Sequence, residues 1–383
     1  METELNFDDL ERDMASLEAL TSLRGVLAKK KEKGEPMSSA ALETLNAMTS
    51  SMIKRDPWAR ESNDSFSLTM PSLESFERSP VDSLNYAMEE IMSGIKKVWD
   101  SIVDFFVRMF KAIRSWFKDI NNTDKKNLKE LNKLKSDISK YTKQDSFGLD
   151  ESLDLSKYIN QYGFSSKTVL VNSNDLVAEL HTVMGNMLRM IENYNSVTFV
   201  LKEIIDVINF KEKKGISNED MFKQLKELNE KLFYDITRGL EVVNSVEPKS
   251  YGRFPKGYVL KKDSANFNLK TLEFVSLEVL HVSSWKNGNF KPGETSTLID
   301  ANINIIQRRL ETDDSEIEDL LKKLINTMKN VENLDNVSKD GTLDSIKNVQ
   351  KIVRSLNTTL PMLVQTHTEV VTGICNDLKN AAS

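Results

Sequence analysis

Between Ser83 and Ile120 the chain has no proline and one glycine, and its apolar residues recur three and four apart. Ile95, Val98, Trp99, Ile102, Phe106, Met109, Ile113, Phe117 and Ile120 share one side of a helical wheel. Lys96, Lys97, Asp100, Asp104, Arg108, Lys111, Arg114 and Lys118 take the other. That spacing predicts one long amphipathic helix with an unusually aromatic face. Asn121-Asn122-Thr123 is expected to end it, with Thr123 capping a second helix, TDKKNLKELNKLKSDISKYTK. After a loop around Gln144–Gly163, a methionine-rich helix is predicted over Leu176–Phe210. A further helix, EDMFKQLKELNEKLFYDITRGLEVV, follows with Ser217 as its cap and a stripe of Phe222, Leu225, Leu228, Leu232, Ile236 and Leu240. Residues 247–293 change period. There GRFPKGYVLKKDSANFNLKTLEFVSLEVL alternates between Gly and Pro punctuation and reads as a hairpin or small sheet. Two helical segments close the chain, one lined by Ile317, Leu320, Leu324, Met328 and Val331. The other is lined by Leu343, Ile346, Val349, Val353, Leu356, Leu360 and Leu363, with a kink expected at Pro361.

Residues 1–80 lack this regularity. Short helical stretches (Leu5–Leu20, Ala40–Met52) alternate with a charge run at Lys29–Pro36 and a serine-rich segment, ESNDSFSLTMPS. Helices this short are marginal in water by themselves. The pattern as a whole predicts a mainly α protein, a bundle of long amphipathic helices with a small β insertion near 250–290, preceded by a partly disordered N-terminal segment. Five divisions follow: an acidic segment 1–77, the amphipathic and basic helices 83–143, a bundle part 150–246, the β insertion 247–293 and C-terminal helices 294–383.

Composition narrows the chemistry. Apolar residues make up 39% and charged residues 29% of the 383, a polar but foldable balance. The single cysteine, Cys375, excludes an internal disulfide framework and a thiolate zinc site. His181, His281 and His367 are scattered, and Glu179 and His181, two apart on a helix, point in different directions. Each histidine therefore reads as structural or surface, and Cys375 as a small buried residue. No phosphate loop, nucleophile elbow or H-E-x-x-H motif is present, so no catalytic residue, metal ligand, cofactor or small-molecule substrate is assigned. The acidic N-terminus has no apolar secretory core, and no run reaches the roughly eighteen apolar residues of a membrane span. Both point to a soluble product inside the cell.

The net charge of −6 is unevenly placed. Up to Glu77 there are 15 acidic and 9 basic residues, so the whole excess lies in that segment and the remainder is neutral. Within the neutral part, Lys125, Lys126, Lys129, Lys133, Lys135, Lys140 and Lys143 form a basic run of the kind that contacts phosphate. Asp124, Glu130 and Asp137 interrupt it, and a solvated helix face is the better account of it. The Met92–Ile120 helix supports three readings: a bundle core element, an interfacial membrane helix, or a partner-packing helix. In the last two, Trp99, Phe106, Trp116 and Phe117 form the contact face.

Where the acidic segment ends, the chain reads MPSLESFERSP, with Ser72-Leu73-Glu74 followed by Ser75-Phe76-Glu77. Small-x-Glu triplets also occur upstream at Ser16-Leu17-Glu18, Ala41-Leu42-Glu43 and Ala59-Arg60-Glu61, and in the body. The doublet stands apart by its place in a proline-bounded linker at the charge boundary, where a protease would find an extended substrate. An N-terminal segment dotted with such triplets, followed by IKKVWDSIVDFFVRMFKAIRSWFKDI, resembles the internal head proteins of giant tailed bacteriophages. The resemblance implies a propeptide that directs the protein into the prohead and is removed there by the phage prohead protease. It places the cut at Glu77–Arg78 or Glu74–Ser75, with further cuts after Glu18 and Glu43. It further implies a non-enzymatic structural protein of the capsid interior, present in host cytoplasm during assembly. Its partners would be the protease, other head and capsid proteins, and packaged DNA through non-specific contact. The alternative left by the residues is a membrane-active amphipathic protein, interface-binding or pore-forming. An enzyme with a site assembled only in space is a third reading, for which the sequence names no residue.

Overall fold

A computed structural model describes residues 7–34, 80–141, 153–243, 253–264, 270–286, 290–312, 314–331, 334, 337 and 341–382. The helix expected over 40–52, and Glu74, Ser75, Glu77 and Arg78, lie outside the described residues. Among the described residues are nine α-helices: α1 Phe7–Glu32, α2 Pro80–Ile138, α3 Ser156–Tyr162, α4 Ser173–Lys214, α5 Asn218–Thr237, α6 Pro292–Glu311, α7 Asp314–Lys329, α8 Thr342–Arg354 and α9 Leu360–Ala382. Three strands, β1 Val242–Val243, β2 Tyr258–Ser264 and β3 Lys270–Ser276, form one sheet in the order β1-β2-β3. Chain packing divides into two compact units. The first holds Met1–Ala112, Ile204–Lys226 and Asp319–Ser345, and the second holds the remaining segments.

The first unit is all helix. α1 runs twelve residues beyond the predicted Leu20, because its basic end, Lys29–Lys31, suits the negative pole of a helix C-terminus. Gly34 then turns the chain at φ +64°. Leu10, Met14, Leu17, Leu20 and Leu27 of α1 are each 0–2% exposed. A side chain buried to this degree contributes about 1.5–3 kcal/mol before entropy, so this helix is a core element and not a marginal one. Residues 84–109 of α2 bury Leu84, Ile91, Ile95, Val98, Trp99, Ile102, Phe105, Phe106 and Met109 in the same unit. Leu320, Leu321, Leu324 and Met328 of α7 and Ile204, Ile205 and Ile208 of α4 complete the core. Ser217 caps α5 as the sequence predicts: its Oγ accepts from the Asp220 N–H at 3.1 Å and donates to that carboxylate at 2.7 Å.

In the second unit α2 continues without a break through Asn121-Asn122-Thr123, which corrects the predicted two-helix reading. Thr123 does not cap; its Oγ donates to the Asp119 carbonyl one turn back at 2.9 Å, a bond compatible with a helix interior. The apolar stripe resumes at Leu131, Leu134 and Ile138, and Asp124 fills the gap between stripes as a buried residue paired with Arg309 of α6. The predicted hairpin is present. β2 pairs antiparallel with β3 from Tyr258↔Ser276 to Ser264↔Lys270, and β1 adds a short parallel rung at Val242↔Leu260.

Two helices are missing from the sequence expectation: α3, which lies inside the stretch expected as a loop around Gln144–Gly163, and α6. The latter opens on Pro292-Gly293, which resembles a loop, and its buried face mixes Thr295, Asn302 and Arg309 with Leu298, Ile299, Ile305 and Ile306. Pro292 fits because the first helical position needs no N–H. α9 packs on α6 and α3. Gly373 permits the α3 contact: a methyl there would collide with the Tyr158 ring, whose hydroxyl donates to Asp377 at 2.9 Å. Near Pro361 the helix widens into a π-turn over Ser355–Thr359, where the Leu360 N–H reaches the Ser355 carbonyl five residues back. The wider turn lies just ahead of a proline that lacks its own N–H, and it takes the place of a simple kink.

Candidate functional site

The aromatic face of α2 turns inward. Trp99 is 3% exposed and Phe106 0%, and the Trp99 indole N–H donates to the Met328 carbonyl of α7 at 2.9 Å. Phe105 and Phe106 meet edge to face at 6.2 Å. Of the residues proposed from sequence for a membrane or partner face, these two are therefore core residues of the first unit. Trp116 and Phe117 belong to α2, but their side chains are outside the described residues. No helix among the described residues is long and apolar enough to cross a membrane.

The outward side of α2 in the second unit carries the basic run. Because the helix is continuous, Lys118, placed by sequence on the first helix, joins Lys125, Lys129 and Lys133 from the second. Steps of seven, four and four residues keep the four within an arc of about 80° over about 22 Å of helix. All four are exposed and have no ion-pair partner among the described residues. The rest of the run is partly neutralised: Lys126 pairs with Glu130 at 3.9 Å, Lys135 with Asp300, and Lys140 with Asp137 at 2.9 Å. Lys143 is outside the described residues. The uncompensated charge thus forms a narrow edge, which the linear sequence hid behind the expected break at Asn121.

Asp124 and Arg309 fix the opposite, buried side of the same helix. Both side chains are under 10% exposed. Burial raises the Asp124 pKa above the usual carboxylate range, and the Arg309 guanidinium acts in the other direction.

The histidines stay apart from any reactive cluster. His367 is fully buried in α9, where its Nδ1 lies 2.9 Å from the Tyr162 hydroxyl. Burial, and then His181, push its pKa down to about 3, so the ring is neutral. Burial also pushes the Cys375 thiol up to about 12, which keeps it from being a thiolate nucleophile. His281 is exposed. Among the described residues no group of three or more His, Cys, Asp or Glu side chains could hold a metal ion.

The candidate cut sites at Glu74–Ser75 and Glu77–Arg78 lie outside the described residues. The upstream triplet Ser16-Leu17-Glu18 sits in the middle of α1 with Leu17 fully buried. It is not offered as an extended substrate in the folded chain, contrary to the expectation of a cut after Glu18.

A sequence model of the phiKZ-like phage internal head proteins matches residues 3–378 of the chain. No curated protein and no solved structure matches it.

Proposed function

From the premise that the chain belongs to the phiKZ-like phage internal head proteins, we propose that it is made as a precursor, cut by the prohead protease, and left lying against packaged DNA. The structural, capsid-packaged role comes with the family; the cut and the DNA contact are the finer reading. The observation that carries the DNA contact is the edge formed by Lys118, Lys125, Lys129 and Lys133. Ammonium groups on one side of a rigid helix meet a phosphate backbone without reading its sequence, and such binding weakens steeply with salt. The acidic excess of residues 1–77 supports the cut after Glu77 or Glu74, because it leaves a body of formal charge zero or −1 that close-packed DNA repels less.

Binding of the full chain to duplex DNA of random sequence, titrated against salt, tests the contact. Four neutralised phosphates give a log–log slope of about −3.6, and Lys129→Ala with Lys133→Ala flattens it by about 2. Salt-independent binding, or a slope unchanged in the double variant, contradicts the lysine edge. Family membership and the interior position of Trp99 and Phe106 both weigh against a membrane-active role.

A further inference from the structure

We propose that α1 is a docked ligand of the first unit, held on α2 by side-chain packing, so that a cut between Glu32 and Pro80 leaves it seated. The cleavage reading above supplies the occasion for this, and the docking itself stands on geometry. Leu10, Met14, Leu17, Leu20 and Leu27 repeat at steps of three, four and seven, the seam of a helix laid along another helix. All five are at most 2% exposed. Asp13, 5% exposed, lies on the same seam and accepts from the Ser101 hydroxyl of α2 at 2.8 Å. Thr21, 1% exposed, is satisfied within its own helix by the Leu17 carbonyl.

The seat on α2 is a defined border. Ser101 and Trp99 are two residues apart, so they point about 160° from each other around the helix. Trp99 reaches the α7 carbonyl of Met328, whereas Ser101 reaches α1. The buried arc of α2 is thus covered from two sides by different elements. Gly94, Val98 and Phe105 are also buried on the Ser101 side, at spacings of seven, three and four. Without α1 that border loses its cover while the α7 border keeps its own.

Docking changes what processing removes. α1 has six acidic and five basic residues, so it holds little of the acidic excess. Because Leu17 shields the Ser16-Leu17-Glu18 triplet, cutting at downstream triplets leaves α1 as a separate polypeptide of the mature protein, and even the shortest such piece, ending at Glu43, keeps a net charge of −4. The N-terminal piece then ends at Glu43, Glu74 or Glu77 and includes Phe7–Glu32 intact.

The test uses the full chain carrying a recognition sequence for a site-specific protease between Gly34 and Pro80. The chain is folded, cut and run by size exclusion in native buffer, with mass analysis of each peak. Docking predicts both pieces in one peak, separating only in denaturant. An N-terminal piece that elutes alone, or a remainder that aggregates on cutting, overturns it. Leu17→Asp in the same cut chain should release the piece at least tenfold faster, and Leu20→Ala replaces it if that variant fails to fold. Release no faster than from the unsubstituted cut chain also counts against the proposal. The engineered cut makes the result independent of natural processing: a virion protein that starts at Met1 removes the cleavage reading alone, and a released helix removes the docking alone.

Discussion

The two stretches of α2 on either side of Ala112 differ in what they bury and what they show. In the first unit the buried arc is wide and purely apolar, from Gly94 and Phe105 round to Trp99 and Phe106, and it takes α1 and α7 to cover it. In the second unit the buried stripe is narrower, carries an ion pair at Asp124, and leaves room for an edge of uncompensated lysines. Both stretches keep an exposed polar side, but in the first Asp100 and Asp104 alternate with Lys96, Lys97 and Lys111, whereas the edge of the second is lysine alone. One continuous helix thus anchors a core in one stretch and presents charge in the other.

The largest effects should come from the wide arc. Phe106→Ala removes a fully buried ring and should destabilise the protein by about 3–5 kcal/mol, read from chemical denaturation. Nearly as large is the loss of the buried charge partner in the other stretch. Arg309→Met leaves Asp124 buried without its counter-ion and should cost about 3–5 kcal/mol, whereas Arg309→Met with Asp124→Leu should recover most of it. A double variant as unstable as the single would mean that the pair itself, and not the stranded charge, matters.

A moderate effect is expected from acid. The His367 pKa is depressed to about 3 against about 6.5 in an unfolded chain, so the unfolded state binds the extra proton between those values. The contribution is complete above pH 6.5 and is lost as pH falls toward 3. Between pH 7 and 5 it amounts to about 2 kcal/mol, and His367→Leu should remove that share of the pH dependence. The smallest stability effect belongs to the lysine edge. Lys129→Ala and Lys133→Ala should each change stability by less than about 0.5 kcal/mol, while flattening the salt dependence of DNA binding. A large loss of stability from either would move these lysines from surface to scaffold.

Much of this was legible in periodicity. The stripe of α2, the Ser217 cap, the hairpin and the long methionine-bearing α4 all follow from spacing and turn residues. Two of the errors share one physical cause: polar residues on buried faces. Asn121-Asn122-Thr123 and the adjoining Asp124 look like an interruption until Arg309, 185 residues away, neutralises the carboxylate. α6 escaped notice because Asn302 and Arg309 occupy core positions, where Asn302 accepts from Thr368 at 3.1 Å. α1 looked too short to matter because its partners, Ser101 among them, are distant in sequence. The lysine edge was only half visible, since its alignment depends on the helix running unbroken past Thr123.

The most direct test of the processed internal-protein reading is the N-terminal sequence and intact mass of this protein taken from purified particles. A body that begins at Arg78 or Ser75, recovered with the DNA-filled heads, is the predicted result. A body that begins at Met1 would contradict the precursor account.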